Sequence, residues 1–219
     1  MFDITLSFDN GPEPEVTPKV LDVLAYREIK STFFVVGEKL NDVLRRALSA
    51  RAHSEGHWIG NHTFTHSIPL GLRTELDIAV SEIGKTQELI GELAHPNRLF
   101  RPFGGGGNLD DTLLNETVAD YLKRGRYTCV LWNAIPRDWD DPDGWVDRAI
   151  SQCRSQPWTL IVLHDLPTGA MEHLDRFLGV LQDMGAKFHQ DFPPACVPIL
   201  RGEIAFTIDP YVSRSGTKQ

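Results

Sequence analysis

The feature that most constrains the fold is an alternation of short β-rich runs with longer segments of helical period. This rhythm is typical of parallel strands joined by crossover helices. The predicted strands are residues 4–8, 31–36, 58–61, 99–101, 128–131, 159–164 and, more weakly, 186–189. The sequence therefore predicts an α/β fold.

Helices are predicted between these strands. Thr17 is placed to cap the first helix, and Pro18 stands at its first position, where proline costs no hydrogen bond. Apolar residues recur with helical spacing in the longest predicted helix, at Leu76, Val80, Ile83 and Ile90. Segments 143–154 and 171–184 have the pattern of further amphipathic helices. We expect their apolar faces to cover the strands.

The composition indicates one folded domain. The chain has 219 residues, of which 41% are hydrophobic and 24% charged, as in ordinary globular proteins. We predict a catalytic domain over residues 1–212 and a mobile polar tail over 213–219. A formal net charge of -8 disfavours nucleic acid as a partner, because that binding depends on clustered Lys and Arg.

Cysteine usage and the N-terminus bear on location. Cys129, Cys153 and Cys196 are odd in number and have no CxxC spacing, so we expect buried free thiols. The N-terminus enters strand-like sequence without the pattern of a signal peptide, and no apolar run reaches the roughly 18 residues of a membrane span. These features predict a cytoplasmic protein with no membrane partner.

Polar residues follow the predicted strands at several points. They are Asp9, Asn10, His62, His66, Arg101, Asp138, His164 and Asp165. In closed α/β barrels the C-terminal strand ends and their loops gather the reacting groups on one face. We therefore expect these segments to converge.

His62 and His66 are spaced so that one helical turn would put both imidazoles on one side. Two imidazoles suit Zn, Co, Ni or Fe, and an open coordination position would let the ion polarise a carbonyl and activate water. The carbonyl of an amide is a suitable target for water activated in this way. The alternative is that both histidines cap or solvate a polar loop.

Asp9 and His164 are candidates for a general base and a general acid. Asp9 follows the first strand, while His164 ends an apolar run and has an ordinary pKa near ~6.5, with Asp138 available to hold its tautomer. Each residue also has a plain explanation. Asp9 fits a turn, His164 a histidine bonded to a carbonyl, Asp138 a helix start and Arg101 a strand-end salt bridge.

The glycine run at 104–107 lacks the spacings of phosphate-binding loops. Glycines let backbone N–H groups approach a ligand closely. We therefore interpret Gly104 as a candidate oxyanion donor, with a flexible loop as the alternative.

Five segments together resemble the polysaccharide deacetylases, carbohydrate esterase family four. In order, SFDNGP, HTFTH, RPFGG, WNAIPRDW and VLHD are similar to the family motifs TFDDGP, HxxxH, RPPYG, WDxDxxDW and LLHD. The similarity extends from Ile4 to about His189. It implies a distorted (β/α) barrel of about seven strands and an amide hydrolase that acts on N-acetyl groups of carbohydrates.

The resemblance also implies roles for individual residues. Asp9 matches the catalytic base, Arg101 the residue that orients it, and His164 the acid, with Asp138 tuning that acid. His62, His66 and Asn10 match the three metal-ligand positions. Gly104 stands where a tyrosine usually donates its backbone N–H to the oxyanion, and Trp139 matches a residue of the substrate groove.

Departures from the motifs alter this expectation. Asn10 stands where the family has a metal-binding aspartate, so we expect a divalent ion such as Zn, Co or Ni to be held more weakly than usual. Asn133 and Ile135 replace two aspartates of the fourth motif, and Phe103 replaces a proline of the third. We expect Phe103 and Trp139 to contact the substrate in an altered groove.

Three functions are compatible with this sequence. The first is a metal-assisted deacetylase of an N-acetylated sugar or polysaccharide. The second is a hydrolase of small amides, ureides or imides with little or no metal dependence, as in some relatives. The third is a catalytically silent carbohydrate-binding protein, against which the retained Asp9, Arg101, Asp138 and His164 argue.

Overall fold

The computed structural model describes residues 2–214. Strands in that range are β1 (Asp3–Asp9), β2 (Thr32–Val35), β3 (Trp58–Asn61), β4 (Leu99–Phe100), β5 (Leu114–Asn115), β6 (Thr128–Cys129), β7 (Trp158–His164), β8 (Lys187–His189), β9 (Ile199–Leu200), β10 (Glu203–Ile204) and β11 (Val212–Ser213). The helices are α1 (Thr17–Tyr26), α2 (Val43–Ser54), α3 (Lys85–Ile90), α4 (Glu116–Arg124), α5 (Trp145–Arg154) and α6 (Leu174–Asp183).

Nine strands form one curled sheet with the order β10-β9-β6-β4-β3-β2-β1-β7, and β8 pairs with β1. The pairs from β6 to β7 are parallel, whereas β9 is antiparallel to both β6 and β10. A bridge between Ala134 and Ile161 brings the chain beyond β6 against β7, so the sheet returns on itself. The predicted α/β class and distorted (β/α) barrel are confirmed.

The strand count differs from the seven predicted runs. β5, β9, β10 and β11 were not predicted, because each is only two residues long and, unlike β4 and β6, does not begin a longer β-rich run. Ser213, assigned to the tail from the sequence, lies in β11 and donates a hydrogen bond from its hydroxyl to the Gly71 carbonyl (2.7 Å). Residues 215–219 of the predicted tail lie outside the described residues, and the domain boundary stays a prediction.

Two helices agree with the sequence and one capping prediction was wrong. α5 and α6 lie within the predicted segments. Val16, not Thr17, is the N-cap of α1, and Thr17 is its first helical residue. The Thr17 hydroxyl instead accepts from the Glu13 amide and donates to Asp165, so its hydrogen bonds serve tertiary structure.

The segment predicted as the longest helix is interrupted. A π-helical turn at Val80–Gly84 precedes the short α3, and the longest helix is α2, with 12 residues. Leu76 and Val80 are 95% and 59% exposed, whereas Ile78 and Ala79 are buried. Ile83 and Ile90 are buried as predicted, whereas Leu76 precedes the helical residues and the π turn at Val80–Gly84 breaks the regular helical period.

The core lies inside the barrel and between the barrel and its helices. All three cysteines are buried free thiols, as predicted. Burial raises the pKa of Cys129 and Cys153 to about 12, so neither thiol is a nucleophile near neutral pH. Among residues 2–214, no helix combines the length and apolar character needed to span a membrane.

Candidate active site

The C-terminal ends of the strands open onto a cavity of about 310 Å³. Eight of the predicted site residues line it: Asp9, Asn10, His62, His66, Phe103, Gly104, Trp139 and His164. Arg101 and Asp138 are fully buried behind this lining. The structure therefore brings together all ten side chains or backbone groups that the sequence singled out for the site.

Asp9 is the last residue of β1 and is 3% exposed. Its Oδ1 accepts a hydrogen bond from Nη1 of Arg101 (2.8 Å), and its Oδ2 lies 3.5 Å from Nε2 of His62. The guanidinium bonded to Oδ1 fixes the orientation of the carboxylate. Asp9 is thus a buried, paired carboxylate with one oxygen directed toward the histidines.

Arg101 follows β4 and is fully buried. Beside its bond to Asp9, its guanidinium donates to Ser7 Oγ (2.6 Å) and to the carbonyls of Val130 and Leu131 (3.2 Å each). The guanidinium carbon also lies 4.1 Å from the ring centroid of Phe34. Every nitrogen of the buried cation is engaged, which fixes the side chain that orients Asp9.

His164 ends β7 directly beside Asp9, its register partner on β1. Its Nδ1 lies 2.9 Å from Asp138 Oδ1, and its backbone N–H donates to Asp138 Oδ2 (2.8 Å). Burial alone would lower the pKa of His164, but the hydrogen bond and charge of Asp138 outweigh burial and raise it. Because Nδ1 faces Asp138, Nε2 is the ring nitrogen left for chemistry.

Trp139 packs edge-on against the His164 ring, with centroids 4.7 Å apart. Asp165, the next residue along, does not line the cavity. It is fully buried, accepts a hydrogen bond from Thr17, and burial raises its pKa to about 7. The structure therefore separates His164, which faces the site, from Asp165, which is bonded to Thr17 of α1.

His62 and His66 meet, although not through a helical turn. Residues 62–66 form an irregular loop after β3, with left-handed backbone at Thr63 (φ 67°) and His66 (φ 48°). The helical expectation was wrong because these conformations, and not an α-helical repeat, turn the chain. The two rings still lie with centroids 4.7 Å apart.

Both histidines are in the state that binds metals. Burial lowers the pKa of His62 and of His66 to about 3, so both are neutral near pH 7. Nδ1 of His62 lies 2.8 Å from the Arg101 carbonyl, an acceptor, so this nitrogen carries the proton. The lone pair is left on Nε2, which faces Asp9.

Asn10 lines the same cavity, at the position that the family motif gives to a third metal ligand. Its backbone is left-handed (φ 73°), a conformation that asparagine tolerates, and its carbonyl accepts from Lys39 Nζ (2.6 Å). Its side-chain Oδ1 is buried without a hydrogen-bond partner among the described residues. A buried unpaired oxygen is costly, which fits an atom directed at a cation or a water.

The donor set fits a divalent ion, with a neutral third ligand. Within residues 2–214, no group of three or more His, Cys, Asp or Glu side chains is placed to hold a metal. Two neutral imidazoles and the unpaired amide oxygen of Asn10 are the donors that line the cavity. Imidazoles suit Zn, Co and Ni, and an amide oxygen can serve as a weaker ligand.

Gly104 stands where packing permits no side chain. A Cβ on Gly104 would lie 2.8 Å from the Trp132 ring and 2.8 Å from the Asn108 carbonyl. Nε1 of Trp132 donates to the Gly107 carbonyl (3.2 Å), and Ile135 packs on Gly107. The glycine run thus lies directly on two large side chains of the fourth motif.

Several residues of the site were missed from the sequence. Trp132, Val162 and Leu166 also line the cavity. Val162 could have been found, because it stands two residues before His164 in one strand and therefore faces the same side. The packing of Trp132 on Gly104 depends on two distant segments, and no local pattern indicates it.

Comparisons with known proteins agree with this geometry. A family model described as polysaccharide deacetylase matches residues 2–128. A chitooligosaccharide deacetylase of Sinorhizobium fredii is 34% identical over 165 residues, which cover 74% of this chain and 71% of the relative. A peptidoglycan-N-acetylglucosamine deacetylase of Bacillus cereus is 29% identical over 197 residues, covering 85% of this chain and 66% of the relative.

A crystal structure described as a peptidoglycan N-acetylglucosamine deacetylase is similar to the whole fold. The TM-score is 0.73 at 27% identity, and the match covers 91% of this chain and 89% of that one. The family match spans more than half of the chain and includes the loops of Asp9, His62 and Arg101. The chain therefore belongs to the polysaccharide deacetylase family of carbon–nitrogen hydrolases.

Proposed function

We propose that this protein is a metal-assisted deacetylase that hydrolyses the acetamide of an N-acetylated sugar or polysaccharide. The observation that carries the proposal is a paired base and acid on neighbouring strands. Asp9 with Arg101 and His164 with Asp138 face one cavity beside two neutral histidines. A carbohydrate-binding protein has no need of this arrangement.

Asn10, His62 and His66 would hold the metal. When bound, the ion would supply Lewis acidity, which makes an amide carbonyl more electrophilic and a nearby water more acidic. Asp9 accepts the proton of the attacking water at Oδ2, since Oδ1 is bonded to Arg101. The hydrogen bond from Arg101 fixes the carboxylate of Asp9, with Oδ2 on the side of His62 and the cavity.

His164 gives up the proton that the departing amine needs. Asp138 holds Nδ1 and favours the imidazolium, so the proton leaves from Nε2 toward the amine nitrogen as the C–N bond breaks. The products are acetate and a free amine. The backbone N–H of Gly104 is the proposed donor to the oxyanion, in place of the tyrosine N–H that the family motif supplies.

Phe103 and Trp139 are the proposed substrate contacts. Trp139 packs against the acid, and Phe103 lies against His66 with ring centroids 4.0 Å apart. Aromatic faces of this kind suit the apolar C–H face of a sugar ring. The named relatives act on chitooligosaccharide and on peptidoglycan, which supports an acetylated carbohydrate as substrate.

A small-amide hydrolase is the second candidate, favoured by two observations. Asn10 brings no negative charge to the ligand set, so a dication gains less from this site than from one with an aspartate. Ile135, at a position where the family motif has aspartate, lines the cavity with an apolar side chain. A small apolar amide needs neither a strong metal site nor polar groups for sugar hydroxyls.

Metal content and substrate turnover together test these candidates. Protein purified without chelator is assayed for bound metal and for amine release from chitooligosaccharide, a peptidoglycan fragment and a panel of small amides and cyclic imides. The proposal predicts turnover of an acetylated sugar that is lost with a chelator and regained with Zn²⁺ or Co²⁺. Turnover of small amides by metal-free protein would instead support the second candidate, and sugar binding without turnover a silent binder.

The proposed location is the cytoplasm. Cys129, Cys153 and Cys196 are all free thiols, the ordinary state in a reducing compartment. Cell fractionation with immunodetection tests this location. Recovery of the protein in the cell wall or the medium would contradict it.

A further inference from the structure

The loop that carries the two histidines depends on acceptors from other elements. The His62 N–H donates to the Val35 carbonyl of β2 (3.0 Å), and the Thr63 N–H donates to Asn61 Oδ1 (3.1 Å). The amide of His66 donates to Thr63 Oγ1 (3.2 Å). The two central amides, those of residues 64 and 65, need a further acceptor outside the loop.

Glu82 supplies that acceptor. One carboxylate oxygen, Oε2, accepts from the backbone N–H groups of Phe64 and Thr65 (2.9 Å each). The other, Oε1, accepts from the Thr65 hydroxyl (2.8 Å). Glu82 is 4% exposed and has no basic partner among the described ion pairs, so this loop accounts for its hydrogen bonding.

The π turn places Glu82 where it can reach the loop. Glu82 lies within Val80–Gly84, and the neighbouring Ile83 carbonyl accepts from Asn61 Nδ2 (2.9 Å) at the end of β3. Lys85, the first residue of α3, places its Nζ 3.6 Å from the centre of the Phe64 ring. Contacts from Glu82, Ile83 and Lys85 therefore join the π turn and the start of α3 to the chain around the histidines.

The loop needs such support because its backbone is strained. Thr63 and His66 both have positive φ, which non-glycine residues adopt only when the surroundings hold them there. Without Glu82, the two partly buried central amides would lose their acceptor in the protein, and a less strained loop would be favoured. The separation of the two imidazoles depends on the loop keeping its present shape.

We propose that Glu82 is a positioning residue for the metal centre, which holds His62 and His66 at the spacing that lets them share one ion. The inference rests on the metal-assisted function proposed above. It predicts that ion affinity depends on a carboxylate that does not line the cavity. Groups that orient metal ligands from behind have effects of this kind.

Titration of metal-free protein with Zn²⁺ by calorimetry tests the inference. Glu82→Ala should weaken Zn²⁺ binding roughly 10- to 100-fold. Glu82→Gln keeps a carbonyl acceptor for the two amides and should restore most of the affinity. Glu88→Gln removes the same charge from the exposed side of the adjoining helix and should leave the affinity unchanged.

A spectroscopic measurement separates positioning from general destabilisation. The visible absorption of bound Co²⁺ should change in Glu82→Ala but not in Glu88→Gln, because it reports ligand geometry. If Glu82→Ala does not fold, Thr65→Val removes one of the three hydrogen bonds and should still weaken Zn²⁺ binding measurably. An unchanged affinity in that variant then overturns the inference.

Other outcomes are equally decisive. Parental affinity in a folded Glu82→Ala, or an equal loss in Glu88→Gln, rejects the positioning role. Failure of the parent protein to bind Zn²⁺ rejects it as well. Zn²⁺ binding that depends on Glu82, in a protein that hydrolyses no acetamide, supports the positioning role and rejects the proposed function alone.

Discussion

The two sides of the cavity are built differently. On the acid–base side, Asp9 and His164 end long neighbouring strands, and each is bonded to a fully buried partner. On the metal side, Asn10 and His66 lie on loops with left-handed backbone, and the Asn10 amide oxygen is buried without a partner among the described residues. The polar groups of the first side have hydrogen-bond partners within the described residues, whereas the Asn10 amide oxygen of the second side has none.

This difference indicates which part of the site can vary. Side chains fixed by a buried ion pair leave little freedom, since removing either partner strands a charge in the interior. Loop residues whose acceptor atoms have no partner can be substituted without disturbing the sheet. The family motifs are kept at Asp9, Arg101 and His164 and also at His62 and His66, whereas the loop residues Asn10, Phe103 and Gly104 differ from the usual residues.

Loss of the base should have the largest effect. Asp9→Asn is expected to reduce kcat about 1,000-fold or more, because the amide cannot take the proton of water. It also leaves the Arg101 cation unpaired in the interior and should lower the free energy of unfolding by about 3 kcal/mol. Turnover assays and chemical denaturation measure the two effects. Full stability in this variant would contradict the tight acid–base side described here.

This prediction revises what the sequence suggests about Asp9. At a turn after a strand, a carboxylate is expected to serve chemistry more than packing. The structure buries Asp9 against Arg101 and Ser7, so chemistry and stability depend on the same group. Asp9→Asn should therefore be compared with Asp147→Asn, the same change at an exposed position of α5.

Loss of the acid should come next. His164→Ala is expected to lower kcat by ~100- to 10,000-fold with little change in KM, since proton donation acts in the transition state. Steady-state kinetics on the identified substrate measures this split. An unchanged kcat would remove His164 from the role of acid.

Replacing the partner of the acid should have a smaller effect. In Asp138→Asn the pKa of His164 should fall, because the charge that raises it is gone. Activity needs the protonated ring, so the high-pH limb of the kcat/KM profile should move to lower pH. At pH 8 we expect kcat to fall roughly 10- to 100-fold, which is less than the full effect of losing the acid. A pH profile with an unmoved basic limb would contradict this assignment.

The raised pKa of His164 also predicts how the stability of the protein depends on pH. A histidine whose folded pKa lies above its unfolded pKa stabilises the protein below the unfolded value, near ~6.5. That contribution is lost as pH rises through the folded pKa. Denaturation of the parent and of Asp138→Asn across this range should therefore differ most at low pH and converge at high pH.

The smallest expected change is on the metal side. Asn10→Asp adds an anionic ligand and should tighten Zn²⁺ or Co²⁺ binding about 10-fold, with little proton release because the carboxylate is already ionised. Calorimetric titration measures the affinity, and His62→Ala serves as the control that should lose it. Equal affinity in Asn10→Asp and the parent, or full affinity in His62→Ala, would point to the metal-independent hydrolase.

The placement of Asp9 and His164 could be predicted from the sequence, and that of the proposed metal ligands only in part. Asp9 and His164 directly follow strong strand patterns, so their neighbourhood results from the sheet itself. His62 and His66 were paired correctly for the wrong reason, because left-handed residues shape their loop. Glu82 lies in a segment whose helical period the π turn breaks, and so its role depends on contacts that no local pattern reveals.

The Trp132 ring packs closely on Gly104 and limits which residues can replace this glycine. A side chain at 104 would collide with the ring and with the Asn108 carbonyl, so the tyrosine that the family motif carries cannot return by a single mutation without a shift of Trp132 or of its loop. Because the family motifs carry this tryptophan together with the tyrosine, a return of the tyrosine requires a different path of the 104–108 loop and not the loss of Trp132.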